Sequence, residues 1–177
     1  MRKAGFTLIE LLITIIILGI LATIAIPGFS RWLPNYRLRS AARDVFSNFQ
    51  LAKLTSIRRN SYCTITFNQA IGATTYDYVV YVEHPPNVNL KYDAGEDVIT
   101  KVLWANYESV SFDTSQGGGD GVSFPNNSDG LPSIAFRSNG LPIMPGSGFG
   151  NGTVYLINTN SRTTNVVISQ AGNIRIE

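Results

Sequence analysis

The stretch that decides the fold is GFTLIELLITIIILGILATIAIPG, residues 5–28. Its apolar run of 21 residues, from Phe6 to Ile26, would extend about 31 Å as a helix. The hydrocarbon core of a bilayer is about 30 Å thick, so the run predicts one membrane-spanning helix. A secretory signal peptide has a shorter apolar core, followed by small residues at a cleavage site. We therefore expect this segment to span the membrane and to remain part of the chain.

Glu10 is an acid inside this apolar run. A carboxylate at the centre of a membrane helix costs about 2.5–3.5 kcal/mol on insertion scales, and such residues are usually functional. Glu10 lies near the N-terminal edge of the run, where the cost is lower and the helix dipole favours an anion. Taken alone, it also fits a tolerated acid at the membrane interface.

The residues before Glu10 give it a role. A short basic leader (residues 1–5) precedes Phe6, and the sequence around the junction reads GFTLIE. This resembles the prepilin motif of type IV pilins. The resemblance implies that prepilin peptidase cuts between Gly5 and Phe6 and methylates the new amine of Phe6. It also implies that Glu10 engages the N-terminal amine of a neighbouring subunit, since two charges in hydrocarbon neutralise each other.

An amphipathic stalk is expected to follow the transmembrane helix (residues 6–28), over residues 29–60. Pro27 lies where pilins carry a helix-kinking proline, and its missing N–H predicts a bend or local unwinding. Pro34 predicts a second bend or a restart. Apolar residues at helical spacing predict the face that packs against the head. They are Leu38, Ala42, Val45, Phe46, Phe49, Ala52 and Ile57.

Residues 61–177 have the pattern of a β-rich head. Alternating apolar residues are separated by stretches rich in Gly, Asn and Pro, which are typical of turns. The expected strands are 62–67, 76–83, 98–104, 109–113, 133–137, 153–158, 165–169 and 173–176. A long helix followed by these strands predicts an α+β fold, with the amphipathic half of the helix packed on an antiparallel β-sheet head.

The order of these segments is similar to that of the GspH/FimT family, which contains minor pseudopilins of type II secretion and minor pilins of type IV pili. The segments that carry the similarity are 51–53, 57–60, 62–67, 134–136, 139–140, 152–156, 166–169 and 172–176. The family implies a structural subunit at or near the tip of a pilus or pseudopilus. The sequence leaves the choice between the two systems open.

The resemblance also implies partners and a location. The partners are prepilin peptidase, other major and minor pilins or pseudopilins, the inner-membrane assembly platform and the lipid bilayer. The location is the bacterial inner membrane, crossed once with the N-terminus in the cytoplasm and the head in the periplasm, before assembly into the filament. Long domains cross membranes largely regardless of their charge, so a basic stalk is compatible with this orientation.

Charge is divided unevenly along the chain. Residues 31–59 carry seven basic residues and one acid, whereas residues 60–177 carry five basic residues and ten acids. The basic stalk is a solvated helix face, or it complements the acidic heads of stacked subunits, or it attracts lipid phosphates. The sequence leaves all three interpretations open.

Binding of DNA for natural transformation is the alternative function. Some FimT-like minor pilins bind DNA through a Gly-Arg-x-Arg pattern near the C-terminus. The matching stretch here is Gly172-Asn173-Ile174-Arg175, which makes Arg175 the candidate DNA contact and lacks the first arginine. The acidic head opposes the electrostatic attraction that supplies most non-specific DNA affinity, so we rank DNA binding second.

Catalytic or metal chemistry finds little support in the sequence. His84 is the only histidine, and its His-Pro-Pro setting is typical of a turn. Cys63 is the only cysteine, which excludes an intrachain disulfide and fits a small apolar residue buried in a strand. The loop acids lack EF-hand spacing. They are Asp93, Glu96, Asp97, Asp120 and Asp129. We expect no enzyme activity, no cofactor and no metal site.

Overall fold

The computed structural model describes residues 7–84 and 88–177. Within these ranges one α-helix, α1 (Leu8–Arg59), precedes nine strands, and a short 3-10 helix covers Trp104–Tyr107. The strands are β1 (Cys63–Ile71), β2 (Thr74–Val82), β3 (Asp97–Val102), β4 (Val110–Phe112), β5 (Ser133–Phe136), β6 (Pro142–Ile143), β7 (Gly152–Asn158), β8 (Thr163–Ile168) and β9 (Ile174–Ile176). The expected α+β fold is confirmed.

The helix α1 is continuous over 52 residues. Its backbone is helical at both Pro27 and Pro34, so the expected restart at Pro34 is wrong. Each proline removes one hydrogen bond from the helix, but Pro34 is buried at the edge of the head, where packing offsets that loss. The local unwinding expected as one alternative at Pro27 is also wrong, whereas a bend at Pro27 or at Pro34 stays a prediction. The helix ends at Asn60, which adopts a left-handed conformation (φ 47°, ψ 43°).

The strands form two antiparallel sheets rather than one. The first sheet has the order β3-β2-β1-β5-β6, and the second has the order β4-β7-β8-β9. Every expected strand is present, with an end displaced by up to four residues, and β6 was not expected. Strand β6 has only two residues, too few for an alternating pattern to show.

The core lies where the second half of α1 packs against strands of both sheets. The helix face expected from the sequence is largely correct, since Leu38, Ala42, Val45, Phe49 and Ala52 are all buried. Phe46 is half-buried. Ile57 is 46% exposed, so its expected burial is wrong. Its side chain lies over the turn at Gly140, at the rim of the head, where there is no sheet to cover it.

Candidate functional site

The first half of α1 is an apolar surface that the head does not cover. The described leucines and isoleucines of residues 8–26 are 47–80% exposed. The segment is long and apolar enough to cross a membrane. Two threonine hydroxyls within it are satisfied by the helix itself. Thr14 donates to the carbonyl of Leu11 at 2.9 Å, and Thr23 donates to the carbonyl of Ile20 at 2.7 Å. Both threonine hydroxyls therefore keep a hydrogen-bond partner when the segment is in an apolar environment without water.

Glu10 forms a capping box with Thr7 at the start of this segment. The carboxylate oxygen Oε2 of Glu10 accepts hydrogen bonds from the amide of Thr7 at 2.9 Å and from its hydroxyl at 2.8 Å. The amide of Glu10 lies 3.3 Å from the Thr7 hydroxyl oxygen, which accepts from it. The carboxylate is thus hydrogen-bonded within its own chain, at the helix end where the dipole favours an anion.

Thr7 was not singled out from the sequence, although a signal for it exists. Thr-x-x-Glu directly before an apolar run is the signature of a helix N-terminus. Gly5 and Phe6 lie outside the described residues, so the cleavage site and the methylated amine stay predictions. The contact between Glu10 and a neighbouring subunit's amine stays a prediction as well.

The second half of α1 is held on the head by side-chain hydrogen bonds along its length. Asn48 donates to the hydroxyl of Tyr78 in β2 at 2.7 Å. Lys53 donates to the carbonyl of Gly172 in the β8–β9 turn at 2.9 Å, and Ser56 donates to the carbonyl of Arg137 at 2.9 Å. Since these bonds reach both sheets, the stalk and the head form one packed unit.

Part of the charge complementarity between stalk and head operates within a single subunit. Arg37 lies 2.9 Å from the carboxylate of Glu108, and Arg59 pairs with Asp97. Three other stalk arginines are exposed, and none of them has an ion pair among the described residues. They are Arg39, Arg43 and Arg58. These three remain available to something outside the subunit.

The residues considered for catalysis are not grouped. Cys63 is fully buried, as expected, and burial raises the pKa of its thiol to about 12. The thiol therefore stays protonated and is a poor nucleophile. Among the described residues, no three His, Cys, Asp or Glu side chains come together as a set that could hold a metal ion.

The acidic side chains of the loops instead form hydrogen bonds and an ion pair within the head. Glu96 accepts from the amide of Asp93 at 2.9 Å, and Asp120 accepts from the amide of Val122 at 3.1 Å. Asp129 lies 3.3 Å from the ammonium of Lys91. These contacts order turns at the surface of the head.

Sequence reasoning missed Glu83, a carboxyl that is only 1% exposed at the end of β2. Its Oε1 accepts from the hydroxyl of Thr64 at 2.7 Å, and its Oε2 accepts from the amide of Asn89 at 3.2 Å. Burial raises the pKa of Glu83 to about 7, against the opposing effect of the Thr64 hydrogen bond. No local signal marks it, because an acid at a strand end is usually exposed.

Arg175, the candidate DNA contact, lies in β9 and is exposed. Its Nε is 2.5 Å from a carboxylate oxygen of Glu177, so its charge is already paired. An exposed pair of this kind leaves little net attraction for phosphate.

The chain matches known proteins over nearly its whole length. Residues 1–26 match the prokaryotic N-terminal methylation motif, and residues 41–172 match the family described as type II transport protein GspH. The pilin-like protein PilA1 of Thermus thermophilus is 30% identical over 180 residues, covering 100% of both chains. The crystal structure of the type IV minor pilin FimU of Pseudomonas aeruginosa covers 81% of this chain and 90% of its own, with 12% identity and a TM-score of 0.46.

The family match extends over the second half of α1 and most of the head, and the methylation motif covers the leader and the apolar segment. Together with the full-length similarity to a pilin-like protein, this settles the family resemblance seen in the sequence. The chain belongs to the type II transport protein GspH family and is a structural, pilin-like subunit of the minor pilin and pseudopilin class.

Proposed function

We propose that this protein is a structural subunit at or near the tip of a type IV pilus or type II secretion pseudopilus. In this proposal prepilin peptidase cuts between Gly5 and Phe6 and methylates Phe6. The subunit waits in the inner membrane with its head in the periplasm, and the inner-membrane assembly platform then moves it into a filament of other pilins or pseudopilins.

The observation that carries the proposal is the contrast between the two halves of α1. The second half is buried in a closed core, whereas the apolar first half is bare and contains a single acid, Glu10. Such a surface needs lipid before assembly and the helices of other subunits afterwards. A carboxylate at its start is suited to pair with an amine on a neighbour, since both charges would otherwise lie unpaired in an apolar environment.

Replacement of Glu10 tests this proposal. We expect Glu10→Ala to insert in the membrane and fold normally but to enter filaments poorly, because the partner of the neighbouring amine is gone. The measurement is the ratio of filament-associated to membrane-associated subunit. Glu108→Ala is a matched control, since it removes an exposed carboxylate from the head. Equal incorporation of Glu10→Ala and wild type would contradict the assembly role.

Processing and position need separate measurements. Intact-mass analysis of membrane-extracted protein should give a chain that begins with N-methyl-Phe6, and a chain that begins at Met1 would refute the processing step.

Immunogold labelling of filaments should place the subunit at one end only. Labelling along the whole length would mean that it is not restricted to the tip.

DNA binding remains the second-ranked alternative, and no contact in the described residues favours it. The pairing of Arg175 with Glu177 argues against it, as does the excess of acids in residues 60–177.

A further inference from the structure

Directly beyond the apolar segment, one face of α1 carries three aromatic rings that the head leaves uncovered. Phe29, Trp32 and Tyr36 are 66%, 56% and 55% exposed. The rings of Phe29 and Trp32 meet edge to face at 6.3 Å between centroids, and those of Trp32 and Tyr36 stack at 5.3 Å with 22° between their planes. They form a continuous aromatic stack that follows the helix away from residue 26.

Arginines border this stack. An open cleft of about 280 Å³ is lined by Trp32, Tyr36, Arg39, Ser40 and Arg43, so it contains two cations and no acid. Neither arginine has an ion pair within the described residues. A second cleft beside Arg39 also holds Arg162, together with Glu177, whose side chain is paired with Arg175. We call Phe29, Trp32, Tyr36, Arg39 and Arg43 the collar.

The height of the collar follows from the helical rise. If the hydrocarbon ends at Ile26, the Cα atoms of Phe29 and Trp32 lie roughly 5 and 9 Å beyond it. The headgroup layer is roughly 5–8 Å thick on each side of the bilayer. Helical side chains point back toward the N-terminus, so the Trp32 ring lies lower than its Cα, within that layer. Tyr36 stacks on Trp32 from above.

The arginines stand higher than the rings, with the Cα atoms of Arg39 and Arg43 roughly 20 and 26 Å beyond that of Ile26. Helical side chains lean toward the helix N-terminus, so the side chain of Arg39 extends toward the membrane. Surface potential decays over a Debye length of about 8 Å at physiological salt, so the side chain of Arg39 comes within its range, whereas Arg43 lies beyond it. Tryptophan and tyrosine are the residues most enriched at membrane–water interfaces, and anionic phosphates attract arginine.

We propose that the collar is a membrane-surface site, in which Trp32 sits among phospholipid headgroups and Arg39 selects anionic lipids. The inference rests on the membrane anchor of the proposed function. Two observations favour lipid as the occupant. The exposed rings of Phe29, Trp32 and Tyr36 follow the exposed Ile26 along the helix, and both charged residues of the collar are cations. The collar would hold the subunit at a defined depth before assembly.

Depth is measured on the full chain in nanodiscs made of equal parts phosphatidylcholine and phosphatidylglycerol. The chain has two tryptophans, and Trp104 is buried in the head, so lipid-dependent quenching reports Trp32. Lipids brominated near the headgroup should quench the fluorescence strongly, and lipids brominated near the chain end should quench it weakly. The exposed position makes Trp32→Phe a tolerated control, and it should abolish the quenching. Quenching of Trp32 by aqueous iodide alone, or mainly by the deep bromines, would overturn the proposal.

Headgroup selection is measured by electron spin resonance of spin-labelled lipids in the same nanodiscs. The wild-type protein should immobilise labelled phosphatidylglycerol in preference to phosphatidylcholine. The Arg39→Gln variant should reduce that preference about two- to fivefold, and raised salt should do the same. Arg58→Gln is the matched control, because Arg58 is exposed on the same helix but far from the membrane.

An unchanged preference in the Arg39→Gln variant overturns the proposal. If that variant also enters filaments poorly, the collar binds a neighbouring subunit instead of lipid. A chain that immobilises no lipid of either kind would contradict the membrane anchor itself. Immobilised lipid without a headgroup preference would contradict only the selection of anionic lipids by the collar.

Discussion

At the scale of single residues, two carboxylates have opposite surroundings. Glu10 is exposed at the end of a helix, and Thr7 supplies its hydrogen bonds. Glu83 is buried at the end of β2, close to a second carboxylate, Glu96. A buried carboxyl binds its proton more tightly than it does in the unfolded chain, so Glu83 couples the stability of the head to pH.

Glu83 predicts a loss of stability as pH rises. The pKa of Glu83 is about 7 in the folded protein, against 4.5 for an ordinary glutamate such as that of the unfolded chain. The folded state therefore binds more protons than the unfolded state between pH 4.5 and 7. The contribution of Glu83 to the free energy of unfolding is therefore greatest below pH 4.5, falls between pH 4.5 and 7, and is constant above. The total fall is at most about 3 kcal/mol.

The Glu83→Gln variant checks this expectation. Its carbonyl can accept from the Asn89 amide while its NH2 donates to the Thr64 hydroxyl, so both polar contacts survive. We expect the variant to be more stable than wild type above pH 7. Its stability should also lose the fall that Glu83 causes between pH 4.5 and 7. Denaturant unfolding at several pH values measures both. An unchanged pH profile would mean that another group is responsible.

Phe49 predicts a large cost at the helix–head interface. Its ring is 2% exposed and lies 6.3 Å from the ring of Phe124. Phe49→Ala should lower the free energy of unfolding by about 3–5 kcal/mol, through lost burial and a residual cavity. Leu51→Ala is the control on the same helix, because Leu51 is 40% exposed. Chemical denaturation followed by circular dichroism compares the two. Similar losses for both variants would mean that the helix face is assigned wrongly.

At the scale of elements, α1 serves two environments with one uninterrupted backbone. The apolar half begins at the capping box of Thr7 and Glu10, and the packed half ends sharply at the junction with β1. The amide of Asn60 donates toward the carbonyls of Ser56 and Ile57, and the amide of Ser61 donates to that of Ser56 at 3.1 Å. This closure directs the chain from the helix into the first sheet.

Asn60 predicts opposite effects for two substitutions. Its φ of 47° lies in the left-handed region, where glycine has no steric cost and a Cβ is unfavourable. Asn60→Gly should leave stability unchanged or raise it by a few tenths of a kcal/mol, whereas Asn60→Ala should lower it by about 1 kcal/mol. Thermal melts monitored by circular dichroism show the order. An alanine variant as stable as the glycine variant would mean that the left-handed conformation at position 60 has no steric cost for a side chain.

At the scale of the whole molecule, the head does not depend on the apolar half of α1 for its core. The main buried cluster runs from Leu38 to Ile174, and none of the residues of 8–26 whose burial the structure describes belongs to it. The molecule therefore combines a self-contained head with a helix whose described leucines and isoleucines in residues 8–26 are left exposed.

A fragment of residues 29–177 should consequently fold as a soluble monomer with helical and β-structure. A fragment of residues 44–177 is the control, since it lacks Leu38, Ala41 and Ala42, which are buried. It should unfold at a lower temperature or aggregate. Light scattering after gel filtration and circular dichroism melts measure both fragments. Aggregation of the longer fragment would show that residues 8–28 contribute to folding.

Local pattern was enough to predict most elements of this fold. The apolar length of residues 6–26, the helical spacing from Leu38 to Ala52 and the alternation in the head each depend on neighbours within one or two turns. The prediction that Ile57 is buried was wrong, because the helical spacing of apolar residues continues past the place where the covering sheet ends. The motif around Glu10 and the family were also readable, since both are carried by residues in order along the chain.

The sequence by itself determined a long helix with a bare apolar half, a β-rich head and membership of a pilin-like family. Only the tertiary structure decided that the strands divide into two sheets, that Glu83 is buried, and that Arg37 and Arg59 are paired while Arg39 and Arg43 are not. Strand order and burial depend on contacts between distant parts of the chain, and no local period encodes them. The packing of the head onto one face of α1 settles which charges remain for partners outside the subunit.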